Sequence, residues 1–370
     1  MVSVEQIDRA DKVASAGQAL LRWYDTHARV LPWRYSSGDT PDPYRVWLSE
    51  IMLQQTTVKA VVPYYEKFLD RWPTVHHLAS ADPDELMRAW AGLGYYARAR
   101  NLLACARIVS EKWGGVFPDN ETDLKALPGI GVYTSAAIRA IAYNLPAVVV
   151  DGNVERVMAR MHTGLASGLK SKSILSDFAK HYYSFAAEVG RSGDMAQAFM
   201  DLGATVCVPK SPRCGICPLF LHCPSKGKPE LLKPSNGGAR GVRHKRFGAV
   251  YWVIGGDNSV LLEKRQERGL LGGMTGFPVS EWTDKPAQPP SPPEFLAGIP
   301  FYRVSRGQVR HRFTHFDLAL DIFMARSPFI SESLPQNFFW HPTVSLKEAG
   351  LPSLFVKVFN LAMPLHLSTG

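Results

Sequence analysis

Through residues 1–224, apolar positions recur every three or four residues: Ala19, Leu20, Leu21 and Trp23; Val46, Trp47, Leu48, Ile51 and Met52; Leu102, Leu103, Ala106 and Ile108. That period places them on one face of a helix, so this stretch is expected to be all-α. The pattern then changes. Ser225 to Arg246 is rich in Gly, Pro, Lys and Arg, with Glu230 as its one acid, and reads as a basic linker. Phe247–Ile254 is a strand candidate, Gly255–Asn258 a turn, Ser259–Glu263 a returning strand, and His315–Met324 alternates as a further strand. Asp284 to Pro300 carries six prolines, which excludes a regular helix or a central strand. Leu351-Pro352 opens a final helix. The chain is therefore expected to be multidomain, with an all-α region over 1–224, a linker over 225–246 and an α+β domain over 247–370.

Cysteine usage sharpens this picture. Cys207, Cys214, Cys217 and Cys223 fall within seventeen residues as C-x6-C-x2-C-x5-C, and the only other cysteine, Cys105, sits in an apolar helical pattern as a core residue. Structural zinc usually takes two C-x2-C knuckles, whereas one knuckle with unequal arms suits a loop wrapped around a cubane iron–sulfur cluster. Two disulfides are the plainer alternative, but nothing else in the chain suggests an oxidising compartment. The formal net charge of +9 points to a polyanion partner, most often nucleic acid. The first twelve residues contain no apolar run, and no stretch approaches the ~18 apolar residues of a membrane span, so a soluble cytoplasmic protein is expected.

Three further features carry candidate chemistry. Leu127-Pro-Gly-Ile-Gly131 lies between a short helix, Asp123–Leu127, and an apolar helix, Val132–Ala142. Gly129 and Gly131 in such a hairpin let the backbone approach a phosphate, with the second helix's amides pointing at it; the alternative is an ordinary helical corner. Beyond it, Asp151 follows three valines and precedes Gly152-Asn153, a helix-cap pattern that also places a carboxylate beside the hairpin. Glu50 has apolar neighbours except for Ser49. Desolvation raises the pKa of such a carboxyl and keeps it protonated, ready to donate a proton; a buried, satisfied Glu is the alternative.

In this order, the G-x-G hairpin, the acid after it and the cysteine loop resemble the helix-hairpin-helix DNA glycosylases that carry a 4Fe–4S cluster, over residues 15–224. Leu31-Pro-Trp-Arg34, Trp47–Thr56, Gly92-Leu-Gly-Tyr-Tyr96 and Asp151-Gly-Asn-Val154 are similar to the MutY-type adenine glycosylases. The C-terminal domain resembles that subfamily's MutT/Nudix-like recognition domain, through Gly269–Pro278 loosely and Phe313-Thr-His315 well.

The resemblance implies removal of adenine mispaired with 8-oxoguanine or guanine in double-stranded DNA, by a monomer carrying one 4Fe–4S cluster. Glu50 matches the general acid that protonates the flipped adenine, and Asp151 the carboxylate that stabilises or attacks the sugar cation, as in a retaining glycosidase. Asn153 and Tyr133 match helpers. Arg29, Trp33, Arg34 and Gln197 match the adenine pocket. Gln55, Thr56, Leu93 and Tyr95 match the group that invades the duplex and fills the gap left by base flipping. In the related endonuclease III type a lysine takes the place of Tyr133 and nicks the strand, so a monofunctional enzyme is implied here. Lys210 and Arg213 lie between Cys207 and Cys214, where a cluster-pinned loop would hold them on the DNA backbone. Arg303, Arg306, Arg310 and Arg312 sit in an acid-free run before Phe313-Thr314-His315, read as a basic loop that senses 8-oxoguanine, with Arg310 on phosphate. The proline-rich stretch departs from the family where a helix would follow Phe277-Pro278.

Three rivals are weighed. Hydrolysis of an oxidised nucleotide by the C-terminal domain would need a Glu-rich metal box, and only Glu281, Asp284 and Glu294 occur between Pro278 and Pro300. A non-catalytic DNA-binding module has no use for both Glu50 and Asp151. A thymine or oxidised-pyrimidine glycosylase fits less well with Gln54-Gln55-Thr56 and the added domain.

Overall fold

The computed structural model describes residues 4–35, 39–162, 172–228, 243–267, 269–286, 291–326 and 334–368. Most of the linker expected over 225–246 therefore lies outside the described residues. The chain divides into two compact units, residues 1–80 with 104–239, and residues 81–103 with 240–370.

The first unit is helical: α1 (Val4–His27), α2 (Pro43–Leu53), α3 (Val58–Arg71) and α4 (Val75–Ala79) precede the segment 81–103. That segment holds α5 (Pro83–Trp90) and the start of α6 (Ala97–Lys112). The first unit resumes through α6, followed by α7 (Glu121–Ala126), α8 (Val132–Tyr143), α9 (Gly152–Met161), α10 (Lys172–Glu188) and α11 (Ser192–Thr205). Local chemistry sets several of these boundaries. Asp42 caps α2 by accepting from the Tyr44 amide, and Pro43 starts the helix where no intrahelical N–H is needed. Asn144 ends α8 in the left-handed conformation, at φ 51°. Helix α2 buries Glu50 along with Trp47, Leu48 and Met52, which makes it a central element rather than a surface one. Cys105 is fully buried, and burial pushes its thiol up to about 12, as befits an inert core residue. Among the described residues, no helix is long and apolar enough to cross a membrane.

The second unit is built on a mixed six-stranded sheet: β1 (His244–Ile254), β2 (Ser259–Lys264), β3 (Thr275–Gly276), β4 (Tyr302–Arg312), β5 (Phe316–Arg326) and β6 (Phe338–Pro342). The strand order is β3-β2-β1-β5-β4, with β6 also on β2; β1 and β5 run parallel in an unbroken register from His244↔Phe316 to Ile254↔Arg326. From Ala249 to Ile254 both faces of β1 are buried. Val250, Trp252 and Ile254 pack with Leu354, Phe355 and Val358 of the last helix, α12 (Ser353–Ser368), while Ala249, Tyr251 and Val253 pack with Leu261 and Leu296 on the other face. This explains the near-continuous apolar run in the sequence.

Two expectations are corrected here. The residues before Phe313 were expected to form a basic loop, but they are strand β4, antiparallel to β5. A register shift between Arg303 and Gln308 interrupts the two-residue alternation, so periodicity could not reveal the strand. The strand also begins at His244, inside the expected linker, because the sheet pairs basic residues that composition assigns to a linker. Within the proline-rich stretch, the described residues form only a single 3₁₀ turn, Glu294–Leu296, as the prolines require.

Candidate active site

Helices α2, α8, α9 and α11 converge on a cavity of about 600 Å³ in the first unit. Arg29, Trp33, Arg34, Glu50, Gln55, Thr56, Tyr133, Asp151, Asn153 and Gln197 all line it, so ten of the residues singled out in the sequence meet in one place. Its size is that of a small-ligand site, about 300–1,000 Å³.

Glu50 projects from the buried helix α2 and is 6% exposed. Burial raises its carboxyl from the ordinary value to about 7, against the opposing effects of a hydrogen bond with Tyr133 and the charge of Arg34, with Asp151 adding to the rise. Tyr133 stands in the first turn of α8, and burial together with the Glu50 and Asp151 charges holds its hydroxyl proton firmly in place. Asp151 occupies the N-cap of α9. Its Oδ1 accepts from the amides of Asn153 at 2.9 Å and Val154 at 2.8 Å, while Asn153 Nδ2 donates to Oδ2 at 2.8 Å. The two sequence readings of Asp151, cap and cleft carboxylate, therefore describe a single arrangement. Three donors aim a negative oxygen pair into the cavity.

Asp201, not singled out in the sequence, holds two arginines that line the cavity. It is fully buried in α11; Arg29 Nε donates to Oδ1 at 2.7 Å, Arg34 Nη2 to Oδ1 at 3.0 Å, and the Arg29 amide to Oδ2 at 3.0 Å. An acid among Phe199, Met200 and Leu202 is the same signal that marked Glu50. Arg156 was missed as well. Its guanidinium donates to Cys207 O at 2.9 Å, Gly203 O at 2.7 Å and Asn153 Oδ1 at 2.8 Å, which ties the cysteine loop to the residue that holds Asp151. The sequence offers no signal for Arg156, because its partners are distant carbonyls.

The hairpin joins α7 to α8. Gly129 has φ +79°, a conformation that needs glycine, and the space beside Gly131 is open. No side chain caps α8, leaving its first-turn amides available.

Cys207, Cys214, Cys217 and Cys223 are unpaired and line a single hollow with Arg160 and Lys226. Among the described residues, no group of three or more His, Cys, Asp or Glu side chains is placed closely enough to hold a metal ion. By their chemistry, four thiols around a shared hollow are a donor set able to hold a metal centre or an iron–sulfur cluster. Arg160 Nη1 lies 3.2 Å from Cys207 Sγ and donates to the carbonyls of Cys207 and Val208, so the loop is anchored from α9. Lys210 and Arg213 are exposed on this loop.

The remaining candidates belong to the second unit. Leu93 is buried, while Tyr95 is 47% exposed at φ +50°. Tyr95 Oη meets Thr314 Oγ1 at 3.1 Å. Phe313-Thr314-His315 forms the turn between β4 and β5, with Thr314 and His315 exposed and Phe313 packed inward. Arg303 and Arg312 pair with Asp321 and Asp317 of β5. Arg310 is exposed and, among the described residues, is paired with no acid.

A helical hairpin beside a cavity holding two carboxylates, followed along the chain by a mixed sheet, is the arrangement the sequence led one to expect of a base-excision DNA glycosylase with an added domain. Comparison with known proteins agrees. Residues 48–177 match the family described as HhH-GPD superfamily base excision DNA repair protein, and residues 249–361 match the NUDIX domain. The adenine DNA glycosylase of Buchnera aphidicola subsp. Acyrthosiphon pisum is 31% identical over 354 residues, spanning 93% of this chain and 96% of its own length. The human adenine DNA glycosylase is 43% identical over 231 residues, 60% of this chain and 41% of that protein. Among solved structures, a thermostable thymine-DNA glycosylase aligns with a TM-score of 0.50 at 28% identity, covering 58% of this chain and 96% of that one. The chain belongs to the adenine DNA glycosylase family.

Proposed function

We propose that this protein hydrolyses the N-glycosidic bond of adenine mispaired with 8-oxoguanine or guanine in double-stranded DNA, leaving an abasic site and an uncut strand. One observation carries the reading: Glu50, with its carboxyl raised to about 7, shares a cavity with the helix-capping carboxylate Asp151. Glu50 donates its proton to N7 of the flipped adenine. The bond between the sugar and adenine N9 then breaks, with its electron pair leaving on the base. Asp151 faces the cationic sugar, and water adds at C1′ and releases a proton that restores Glu50. Tyr133 holds the Glu50 carboxyl and Asn153 holds Asp151. Tyr133 has no amine, so it forms no Schiff base and does not nick the strand.

Arg29, Trp33, Arg34 and Gln197 grip the adenine. Gly129, Gly131, Lys210, Arg213 and Arg310 hold the DNA backbone, while Gln55, Thr56 and Tyr95 enter the duplex; Leu93, expected to join them, is buried and is not presented to it. Phe313, Thr314 and His315 read the base opposite. Cys207, Cys214, Cys217 and Cys223 would hold one 4Fe–4S cluster, which supplies rigidity to the DNA-facing loop. Residues 1–224 act as the glycosylase region, 225–243 as a linker and 244–370, from the start of β1, as the lesion-recognition domain of a cytoplasmic monomer.

The test is release of free base from duplexes carrying adenine opposite 8-oxoguanine, thymine opposite guanine, and thymine glycol. Adenine alone should be released, and Glu50→Gln should bind the duplex without releasing it. Release of thymine in preference to adenine would overturn the reading. Purified protein should contain about four irons per chain, and Cys214→Ser should lose them; one zinc and no iron after anaerobic purification would refute the cluster.

A further inference from the structure

The segment after Phe277-Pro278, where the sequence departs from the family, adds to the sheet instead of leaving it. It lies antiparallel against β1 through the pairs Phe247↔Thr283 and Val250↔Val279. The Phe247 amide donates to Thr283 O at 2.8 Å, the Thr283 amide returns to Phe247 O at 2.9 Å, and the Tyr251 amide donates to Pro278 O at 2.9 Å. Ser280 is buried; its amide donates to Ala249 O at 3.0 Å, and its hydroxyl accepts from the Ala249 amide at 2.9 Å. The backbone on either side of Trp282 is thus pinned.

Trp282 turns its indole toward the recognition hairpin. Its ring centroid lies 6.0 Å from Phe313 and 6.3 Å from Phe316, while Phe313 also meets Phe316 at 4.9 Å and His311 at 4.6 Å. Gly248 of β1 makes room for it, since a Cβ there would stand 2.8 Å from Trp282 Cδ1. The Arg265 guanidinium lies over the indole at 6.0 Å. The indole N–H is buried and, among the described residues, has no partner, a cost tolerated for the ring's contact area. Phe313 is in turn tied into the hairpin: its amide donates to Phe316 O at 2.9 Å, and its carbonyl accepts from Arg243 Nη1 at 3.0 Å. With Phe313 held from behind, the exposed Thr314 and His315 next to it have a fixed direction.

We propose that Trp282 is a specificity-positioning residue: its indole, wedged between Gly248 and Phe313, sets the attitude of Thr314 and His315 toward the base opposite adenine. The inference rests on the proposed reading role of this hairpin. It assigns Trp282 no contact with DNA.

The test uses the full chain and single-turnover excision of adenine opposite 8-oxoguanine and opposite guanine, with the ratio of the two rate constants as readout. A rate constant is independent of the folded fraction, which the burst amplitude and Tm report separately. Trp282→Ala should lower the ratio about 2- to 10-fold, the span expected for loss of aromatic contacts, without slowing excision opposite guanine. Trp282→Phe keeps a ring, removes the orphan N–H and should restore the ratio. Gly248→Ala leaves Trp282 in the sequence but displaces it, and should lower the ratio too, which keeps the test decisive if Trp282→Ala folds poorly. A ratio unchanged in Trp282→Ala and Gly248→Ala, while Phe313→Ala and His315→Ala lower it, would overturn the role of Trp282. If Phe313→Ala and His315→Ala also leave the ratio unchanged, the hairpin does not read the opposite base and the underlying reading fails with it.

Discussion

In the cavity of the first unit Glu50 is 6% exposed and Asp151 accepts three hydrogen bonds, whereas at the β4–β5 turn Thr314 and His315 are exposed, backed by Phe313 and, at Thr314, by the Tyr95 hydroxyl. On the proposed function, the first site works by desolvation and the second by access to solvent. A proton donor must be dry for its pKa to rise, and a carboxylate facing a cation must be anchored, so both come from helices packed in a core. A reader of base edges has to reach into a groove, so its polar tips are exposed and its precision comes from aromatic packing behind them. Changes in the cavity should therefore alter rate, and changes at the turn should alter choice.

The largest expected effect is that of Glu50→Gln, which should lower single-turnover excision by at least ~10²–10⁴-fold while leaving duplex binding intact. The same carboxyl makes the wild-type rate fall as pH rises through about 7, because only the protonated form donates. Stability carries the same sign. A carboxyl raised from 4.5 to about 7 stabilises the fold fully below its unfolded pKa and loses that contribution as pH climbs through 7. Glu50→Gln should accordingly have a higher Tm than wild type at pH 8, with the gain vanishing near pH 5; a pH-independent difference would refute the burial argument.

Next comes Asp151→Asn. Asparagine keeps one oxygen for the two cap amides but sets its Nδ2 against Asn153 Nδ2, so Tm should fall only modestly, while excision should drop about 10²–10³-fold as the charge facing the sugar disappears. Loss of stability in proportion to activity would mean that Asp151 is a cap alone. At the turn, Phe313→Ala combined with His315→Ala should reduce the preference for 8-oxoguanine over guanine by about 5- to 150-fold, equivalent to one good base contact, with little change in excision opposite guanine. An equal loss on both duplexes would place these residues in the rate machinery and remove the contrast between the sites. The smallest effect belongs to Arg310→Ala, which should weaken binding uniformly whatever the opposite base and make the salt slope shallower by about one.

Motifs confined to one stretch of chain were legible before any fold was known. The hairpin glycines, the capping aspartate with Gly152-Asn153 and the cysteine spacing each do their work through neighbours a few residues away, and the period-3.6 and period-2 runs report burial directly. Helix α2 and strand β1 were therefore readable, as was the oddity of Glu50 among apolar neighbours. Other features arise only from distant contacts. Asp201 matters because it holds Arg29 and Arg34, which lie more than 160 residues away along the chain. Arg156 reaches carbonyls that any residue type could present. Strand β4 was hidden because its bulge breaks the alternation and its arginines find their acids on β5. Trp282 looked like part of a departure from pattern until β1 paired with its segment and Gly248 opened a place for its ring. Local sequence sets propensity, caps and motif spacing because these are short-range interactions; desolvation, ion pairing and ring packing depend on which distant segments the folded chain brings together.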